Sequence, residues 1–560
     1  MQKNPLPNST DWWKDAVVYQ IYPRSFMDSN GDGMGDLNGI CTKLDYLQEL
    51  GVDVVWLSPH FDSPNADNGY DIRDYRQVMA EFGTMADFDH LLAGLKARGI
   101  QLIIDLVVNH SSDEHAWFQQ SRQSRDNPYR DYYIWRDPVD GGPPNNYPSF
   151  FGGSAWQWDA ATGQYYLHYF ATKQPDLNWE NPTVRHEVYD VMRFWLDKGV
   201  AGFRMDVIPF ISKQDGLHNL PPEHLAHPEA VYASGPRVHQ YLQDMHREVL
   251  APYGAVAVGE AFGVDFAAAP LFTDARRGEL SMVFHFDIVR LDRDNWRKIP
   301  WTLPQLKAVT TRIDTTGGSH GWNASFLGNH DNPRAVSHFG DDRPAWRALS
   351  AKALATLTLT QRATPFLYQG DELGMANYPF ERIEQYDDVE VKGNWRMLVE
   401  TGQVPAAEYL AHLRETSRDH ARTPMQWSAD AHAGFTTGTP WLAVNPDYPD
   451  WNAAAQTADP LSIYHHHRRL LALRRSTPAL VHGAYQDIDP AHPQVFAYTR
   501  TLGDAAYLVL LNFGTEALPY PLPGGLRVNE VVLDNGAGDT AAAGATQVLL
   551  APWQATVYRL

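Results

Sequence analysis

Short apolar runs of β-strand type recur along this chain of 560 residues, separated by stretches with helical spacing. In those stretches the apolar residues fall on one helical face, and a glycine closes the helix. Strands that alternate with helices form a parallel sheet covered by the helices. Eight units favour closure, so the sequence predicts an α/β fold, a (β/α)8 TIM barrel, over a doubly wound open sheet. The eight runs are VVYQIY (17–22), VDVVWLSP (52–59), IQLIIDLVV (100–108), GFRM (202–205), VAVG (256–259), MVFHF (282–286), ASFLG (324–328) and TPFLYQ (364–369).

Three segments depart from this alternation and divide the chain. Residues 110–178, after the third strand, are rich in Trp, Tyr, Pro, Gly and Asn and are long for a loop. We expect them to form an inserted subdomain B over the mouth of a barrel made from 1–109 and 179–484. A second excursion, about 371–460, follows the eighth strand. From 485 to 560 short strands alternate, which predicts a separate C-terminal antiparallel β-sandwich domain.

Three acidic residues, Asp206, Glu260 and Asp331, each lie one to three residues past one of the predicted strands. A closed barrel of parallel strands gathers its carboxyl ends on one face, so acids remote in sequence meet in one pocket. Paired carboxylates in a pocket are the usual equipment for breaking a glycosidic bond. The sequence therefore indicates a glycosidase before any resemblance is considered.

The charge balance restricts the partners of the chain. Lys and Arg number 46 and Asp and Glu number 67, a formal net charge of −21. No basic patch stands out, which argues against nucleic acid and anionic membranes as partners. A neutral small molecule is the expected substrate, and the 18 Trp and 27 Tyr suit the apolar faces of sugar rings. The oligomeric state is left open.

Cysteine content and the N-terminal segment bear on the compartment. The single cysteine, Cys41, allows no internal disulfide. The first 15 residues lack the apolar core of a signal peptide, and no stretch approaches a membrane span. Cytoplasmic residence is the default expectation, unless residue 1 follows a segment that has been removed.

The string DSNGDGMGD (28–36) places oxygen-bearing side chains at alternate positions of a Gly-rich turn. Such spacing can wrap a hard cation, as in the first part of an EF-hand loop, although the twelfth-position Glu is missing. We expect a structural Ca²⁺, with Mg²⁺ as the alternative ion and a metal-free Asx-rich turn as the alternative structure. The expected metal ligands are Asp28, Asn30, Asp32, Met34 and Asp36.

The strings DLVVNH (105–110), GFRMDV (202–207), GEAF (259–262) and NHD (329–331) follow the third, fourth, fifth and seventh predicted strands. In this order they resemble the four signature regions of the α-amylase family of glycoside hydrolases, and the resemblance covers essentially the whole chain. QPDLN (174–178) matches a fifth region in the form of the oligo-1,6-glucosidase branch.

The resemblance assigns a role to each acid. Asp206 would be the nucleophile that forms a covalent glucosyl-enzyme, and Arg204, on the same face of the strand, would keep it ionised. Glu260 would be the general acid and then the base, which requires a raised pKa. Asp331 would hold sugar hydroxyls and favour the positively charged transition state. A retaining mechanism predicts carboxyl groups roughly 5–5.5 Å apart for the first two acids.

The resemblance also implies a set of residues around the first glucose subsite. Tyr70 would stack on the glucose ring, and two histidines would donate to its hydroxyls. Asp67 and Arg422 are expected to pair near the far hydroxyls, which closes the pocket and makes the enzyme exo-acting. The complete set is Asp67, Tyr70, His110, Phe170, Gln174, His330 and Arg422.

Two neighbours of the acids distinguish members of the family. Val207 follows the nucleophile, and in this branch Val at that position accompanies α-1,6-linked substrates. Phe262, Phe286 and the string RLDRD (290–294), which begins with Arg290, resemble sucrose isomerases, in which two such phenylalanines clamp the fructosyl side. Those isomerases carry Thr where this chain has Val207.

These features together predict a retaining, exo-acting α-glucosidase that hydrolyses α-1,6-linked glucosyl disaccharides: isomaltulose, isomaltose and, as a further candidate, trehalulose. The alternatives are a sucrose isomerase that makes isomaltulose or trehalulose, and a transglucosylating α-glucosidase of another linkage specificity. A hypothesis from another class of protein is a non-catalytic sugar-binding module or transporter subunit. Such subunits typically lose the catalytic acids, and all three acids are present in this sequence.

Overall fold

The barrel is built from eight short parallel strands, and the computed structural model describes residues 11–318 and 320–560 of the chain. Each strand is four residues long on average and almost entirely buried, as expected for strands covered on both faces. In chain order they are β1 Val18–Ile21, β2 Val54–Leu57, β3 Gln101–Leu106, β4 Gly202–Met205, β5 Val256–Glu260, β6 Met282–Phe284, β7 Ala324–Ser325 and β8 Thr364–Tyr368.

Hydrogen bonds connect these strands in the order β6-β5-β4-β3-β2-β1-β8-β7. The two ends of that order, β6 and β7, also contact each other, which closes the sheet. The strand pairs within the sheet are parallel. The predicted (β/α)8 barrel is therefore confirmed, and the doubly wound open sheet is wrong.

A helix follows each strand and packs on the outside of the barrel. Helix Met85–Ala97 begins with a capping box between Thr84 and Asp87, and helix Pro182–Lys198 ends at Gly199, whose φ of 102° needs a residue without a side chain. The outer helices are Leu44–Leu50, Met85–Ala97, Pro182–Lys198, Val238–Met245, Ala269–Thr273, Leu303–Thr316, Arg347–Thr360 and Ile463–Ser476. Shorter helices are Leu37–Cys41, Glu229–Tyr232, Ala251–Tyr253, Ala335–Phe339 and Pro478–His482.

The interval 110–178 covers the carboxyl end of the barrel. It contains a three-stranded antiparallel sheet with Gln164–Leu167 between Trp135–Arg136 and Trp156–Asp159. A short helix, Ala116–Ser121, also lies there, although the sequence shows no helical period. Apolar residues of this interval form one buried cluster with Val207 and other residues that follow β4, so the interval is packed against the segment that carries Asp206.

The excursion after β8 returns to the same end of the barrel. Its helices are Val389–Asn394, Ala406–Thr416, Asp419–Arg422 and Ala453–Ala458. Two small antiparallel pairs also flank the mouth, Phe61–Asp62 with Asp74–Val78 and Arg293–Asp294 with Arg297–Lys298. Loops from several strands therefore build the walls of one cavity.

The C-terminal part is a two-layered antiparallel structure. A five-stranded sheet contains, in spatial order, Ala484–Asp487, Val495–Leu502, Ala505–Asn512, Ala555–Arg559 and Glu530–Asp534. A second sheet pairs Leu518–Pro521 with Gln547–Leu550. Side chains from both sheets share one apolar core, which confirms the predicted sandwich. No helix within the described residues is long and apolar enough to cross a membrane.

Lys307 ties the barrel to this C-terminal sheet. Its Nζ, on helix Leu303–Thr316, donates to the carbonyls of Asp489, His492 and Val495 at 2.6, 3.0 and 2.9 Å, and the residue is fully buried. One charged donor therefore serves three backbone acceptors of the C-terminal part at once.

Replacing Lys307 with Met should destabilise the protein strongly. The three carbonyls lose their shared charged donor, so we expect the free energy of unfolding to fall by about 2–4 kcal/mol, measured by chemical denaturation. The matched control is Lys198→Met, which breaks a largely exposed pair with Asp89 and should cost less than about 1 kcal/mol. Equal effects of the two substitutions would contradict this role of Lys307.

Candidate active site

The barrel brings the three acids into one cavity. Asp206 directly follows β4, Glu260 is the last residue of β5, and Asp331 lies in the loop after β7. All three line a cavity of about 390 Å³, a size suited to a small molecule. β4 and β5 are adjacent, with Met205 opposite Gly259, so Asp206 and Glu260 lie side by side.

Arg204 lies beneath these acids and contacts three carboxylates at once. Its Nη1 is 2.6 Å from Oδ1 of Asp105 and 2.7 Å from Oδ1 of Asp206. Its Nη2 is 2.6 Å from Oε2 of Glu260. The second oxygen of Asp105 accepts a hydrogen bond of 2.7 Å from Trp56 Nε1. The guanidinium is only 1% exposed, so water screens these contacts little.

Burial and neighbouring carboxylates determine the pKa of Asp206. Burial raises it most, Arg204 lowers it, and Glu260 and Asp105 raise it again, so the pKa lies well above its usual value. Burial likewise raises the pKa of Asp105 to about 6 against the opposing effect of Arg204. Arg204 was expected to keep Asp206 ionised. It does lower the pKa of Asp206, but burial and the two neighbouring carboxylates outweigh it. One cation serves three carboxylates. The separation of roughly 5–5.5 Å between the carboxyls of Asp206 and Glu260 stays a prediction.

Asp331 has the opposite electrostatic environment. Burial raises the pKa of Asp331, but His330, Arg418 and Arg422 lower it by a larger amount. The pKa therefore lies well below its usual range. Its Oδ1 is 2.7 Å from Arg422 Nη2 and 3.2 Å from Arg418 Nη1. Asp331 therefore stays ionised over the whole physiological pH range, which the role expected for it requires.

The two histidines in the cavity wall are neutral. Burial lowers the pKa of both His110 and His330 to about 3. Gln20 Nε2 lies 2.8 Å from Nδ1 of His330, which assigns the ring proton to Nε2, 3.1 Å from Asp331 Oδ2. The Nε2 of His110 is 3.1 Å from the carbonyl of Tyr70. Both rings can therefore act as hydrogen-bond donors without carrying charge.

Asp67 and Tyr70 line the floor of the cavity. The ring of Tyr70 stacks on that of His330 with centroids 5.3 Å apart, and Tyr70 also lines the cavity. Gln174 Nε2 donates to Asp67 Oδ2 at 3.1 Å and lies 3.3 Å from the carbonyl of Tyr70. These contacts hold two predicted subsite residues in place.

The predicted pair of Asp67 with Arg422 is wrong. Arg422 Nη2 pairs with Asp331, and its Nε donates to the carbonyl of His330 at 3.0 Å. The cation nearest Asp67 is Arg418, with Nη2 at 3.9 Å from Oδ1. Both arginines lie on or beside the short helix Asp419–Arg422, and their four-residue separation is one helical turn, so sequence alone could not decide which one faces Asp67.

Aromatic residues form the opposite wall. The rings of Phe262 and Phe286 lie 5.2 Å apart, and the guanidinium of Arg290 is 5.0 Å from the ring of Phe262. Phe170 and Val207 complete the predicted apolar lining. Twelve predicted residues therefore line one cavity: Asp67, Tyr70, His110, Phe170, Gln174, Asp206, Val207, Glu260, Phe262, Phe286, Arg290 and Asp331. Arg204, His330 and Arg422 stand behind them and contact the acids.

Sequence reasoning missed the contribution of the excursion after β8. Arg418 Nε donates to Asp388 Oδ2 at 2.8 Å, and Asp388 caps the helix Val389–Asn394, which carries Glu390 into the lining. The ring of Phe151 lies 5.5 Å from the Arg418 guanidinium. The only sequence signal was a cluster of charges in a long loop, which is more often solvated surface. Further unforeseen lining residues include Phe150, Arg293, Trp296, Asn332 and Met397.

The loop 28–36 lies outside this cavity. Asp28 accepts hydrogen bonds from the amides of Asn30, Gly31 and Gly33 and from the hydroxyl of Thr436. The side chains of Asn30 and Asp32 each accept a hydrogen bond from the backbone amide two residues further along the chain. The carboxylate of Asp36 accepts one from the backbone amide of Ser29. No cluster of three or more His, Cys, Asp or Glu side chains suited to a metal was found in residues 11–318 and 320–560.

Comparison with known proteins agrees with this architecture. The catalytic-domain model of the alpha-amylase family matches residues 20–483. An oligo-1,6-glucosidase of Parageobacillus thermoglucosidasius is 50% identical over 98% of this chain and 99% of the relative. A palatinase of Erwinia rhapontici is 47% identical over 93% of each chain.

Solved structures show the same similarity. An isomaltulose synthase variant of Erwinia rhapontici NX5 with sucrose has a TM-score of 0.97 and 55% identity, covering 99% of this chain and 100% of its own. A trehalulose synthase variant with Tris has a TM-score of 0.97 and 56% identity, covering 98% and 100%. The chain belongs to the α-amylase family of glycoside hydrolases. The predicted family and enzyme class are confirmed.

Removing one neighbouring carboxylate should move the pH dependence of the reaction. As the expected nucleophile, Asp206 must be ionised to attack, and Asp105 raises its pKa. Asp105→Asn should therefore lower that pKa and move the acid limb of kcat/KM to lower pH by about half to one unit. The position of the limb is the readout, because loss of the Trp56 contact also lowers the rate.

The control for this shift is Asp314→Asn. Asp314 is another half-buried carboxyl, and burial raises its pKa. It lies near Arg362 and Arg500 and does not line the cavity. It should leave the acid limb in place. An unmoved limb in Asp105→Asn would show that Asp105 does not control the ionisation of Asp206.

Proposed function

We propose that the protein is a retaining, exo-acting α-glucosidase that hydrolyses α-1,6-linked glucosyl disaccharides, with isomaltulose and isomaltose as substrates and trehalulose as a further one. The observation that carries this proposal is Val207, an apolar, β-branched residue that lines the cavity beside Asp206 and Glu260. Oligo-1,6-glucosidases identical at about half of their positions over nearly the full length support the same linkage. We further propose that the enzyme acts in the cytoplasm, a reducing compartment that suits a fold with a single free cysteine, Cys41.

In the first step Asp206 forms a bond to the anomeric carbon while the glycosidic bond breaks. Glu260 gives its proton to the departing oxygen, so the second hexose leaves as a neutral alcohol. Arg204 contacts both carboxylates and stabilises the charge that each carries in turn. The ionised Asp331 lies where positive charge develops on the glucosyl ring, and it stabilises the transition state more than the ground state.

In the second step water attacks the glucosyl-enzyme. Glu260, now ionised, removes a proton from the water, the bond to Asp206 breaks, and glucose leaves with its original anomeric configuration. Two inversions therefore give net retention. The proton returns to Glu260, and both carboxyls are restored for the next cycle.

Exo action would follow from a glucose subsite that is closed at its far end. Asp67 and Arg418 are the proposed closing residues, and Gln174 and His110 line the same cavity. Charged groups in this position can hold the terminal hydroxyls and leave no room for a longer chain. Binding one terminal glucosyl unit favours cleavage of disaccharides and of chain ends.

The leaving hexose would lie between Phe262, Phe286 and Arg290. Aromatic faces suit the apolar side of a sugar, and the guanidinium can donate to its hydroxyls. A fructosyl group is expected to bind here, because the resemblance that these residues show is to enzymes that hold fructose.

The same wall favours a second candidate, sucrose isomerisation. The solved structures that match at 55–56% identity are an isomaltulose synthase and a trehalulose synthase. In that reaction fructose would remain bound after leaving and attack the glucosyl-enzyme through another hydroxyl, in place of water. Val207 separates the candidates, because the isomerases that this chain resembles carry Thr at that position.

Incubation with isomaltulose and, separately, with sucrose distinguishes these two functions. We expect isomaltulose to give glucose and fructose, with the glucose released first as the α-anomer by nuclear magnetic resonance. Sucrose should give little or no isomaltulose. Asp206→Asn should lower the rate on isomaltulose by more than about 10⁴-fold, because the covalent step is lost.

The opposite pattern would overturn the proposal. Intact isomaltulose together with conversion of sucrose into isomaltulose or trehalulose would assign the isomerase. Glucose released first as the β-anomer would exclude the retaining mechanism, and full turnover by Asp206→Asn would remove its nucleophile.

We also propose that the loop 28–36 binds a structural Ca²⁺, with Mg²⁺ as the alternative ion. Oxygens of Asp28, Asn30, Asp32 and Asp36 would hold the ion, together with Met34, which offers only its backbone carbonyl as a hard donor. Burial raises the pKa of Asp28, but hydrogen bonds from Thr436 and from the loop amides lower it by a larger amount. This proposed ligand is therefore a carboxylate at neutral pH.

Calcium at about 1 mM should raise the midpoint of thermal unfolding by about 2–5 °C relative to a chelator, and Asp28→Asn should abolish the difference. The control is Asp45→Asn, at a surface ion pair with Arg98, which should retain the full response. Magnesium in place of calcium tests which ion is preferred. Equal midpoints with both ions and with chelator would favour the metal-free turn.

A further inference from the structure

The residue after the nucleophile has an unusual backbone conformation. Val207 has φ 34° and ψ 39°, in the left-handed region, and is buried. β-Branched residues rarely adopt this conformation, because the side chain crowds the adjacent carbonyl. Such a conformation persists only where the surrounding structure imposes it, and it marks places with a functional constraint.

The strand ladder explains where this conformation begins. The amide of Asp206 still bonds the carbonyl of Leu106 on β3 at 3.1 Å, so the ladder continues as far as the nucleophile. One residue later the chain leaves the sheet. The amide of Phe210 bonds the carbonyl of Val207 at 2.9 Å, which closes a turn with Pro209 inside it.

The amide of Val207 contacts the second acid. The N–H donates to Oε2 of Glu260 at 3.0 Å, and the same oxygen is 2.6 Å from Nη2 of Arg204. Two donors therefore meet one oxygen of the carboxyl, and that oxygen serves as an acceptor. Both donors are buried, so the contacts are not weakened by water.

We propose that the main-chain N–H of Val207 is a positioning group for the general acid: it holds Oε2 of Glu260 as the acceptor oxygen, so that the proton is carried on Oε1 and delivered to the departing oxygen. The proposal deepens the function proposed above and rests on it. Val207 then has two separable roles, a side chain that shapes the wall and an amide that orients Glu260.

The alternation of the strand explains the direction of this amide. The amide of Asp206 bonds β3, so the amide of the next residue points to the opposite side, towards the end of β5, where Glu260 lies next to Asp206. The left-handed conformation then turns the chain out of the sheet immediately after this contact. Nucleophile and acid are thereby held in fixed relation by consecutive residues of one segment.

The test replaces Val207 by the corresponding α-hydroxy acid, which turns the amide N–H into an ester oxygen and keeps the side chain. We compare kcat/KM for isomaltulose with kcat/KM for α-glucosyl fluoride, because fluoride leaves without a proton. The ester should lower the value for isomaltulose about tenfold to hundredfold and leave that for the fluoride within about threefold. The alkaline limb for isomaltulose should move to higher pH, because the ionised acid has lost a donor.

Two controls separate the amide from the side chain and from the turn. Val207→Gly keeps the N–H and adopts the left-handed conformation easily, so the ratio of the two kcat/KM values should stay within about threefold of wild type. The same ester exchange at Phe210 removes an amide that bonds Val207 within the turn, and it should also preserve the ratio.

Several results would overturn the proposal. An unchanged ratio in the Val207 ester would show that its amide does not position the acid, and so would an equal loss on both substrates. A changed ratio in Val207→Gly would assign the effect to the side chain. If wild type leaves isomaltulose intact, the proposed function fails by itself, and sucrose, which also yields a glucosyl-enzyme, takes its place in the ratio.

Discussion

The active site depends on one buried guanidinium. Arg204 contacts Asp105, Asp206 and Glu260 within 2.7 Å, and it is held by a strand on the inside of the barrel. Burying three carboxylates around one cation is unfavourable, and burial accordingly raises the pKa of both Asp206 and Asp105. A retaining glycosidase uses such a raised pKa, because one carboxyl must be ionised while its neighbour is protonated. The arginine holds the three carboxylates in place and lowers the pKa of Asp206 and of Asp105 against the effect of burial.

Asp331 shows how the same fold gives a third acid the opposite behaviour. Two arginines from the excursion after β8 and a neutral His330 surround it, and its pKa is held low. The barrel itself supplies the reacting pair, and a long loop supplies the charges that keep the third carboxylate ionised. Differences between related enzymes can therefore arise in the loops while the reacting pair stays fixed.

The fold and the acids were predictable because each rests on a local pattern. Eight apolar runs with helices between them determine a closed parallel sheet, and acids at strand ends determine a common pocket. The partner of Asp67 was not predictable, since Arg418 and Arg422 differ by one helical turn and only tertiary packing selects between them. The left-handed backbone at Val207 was also hidden, because a valine normally indicates an extended strand. Glu390 and Asp388 carried no signal beyond charge in a long loop.

The ionised Asp331 has a consequence for compounds that are not sugars. A carboxylate placed opposite a developing positive charge also attracts a charge that is already there. Small hydroxylated amines, protonated near neutral pH, combine that charge with hydroxyls that can replace those of glucose. Such amines should compete for the glucosyl position. The competition should be strongest at a pH at which the amine is fully protonated and Asp331 is still ionised. Common laboratory buffers belong to this class of compound, so the choice of buffer becomes part of the chemistry of this site.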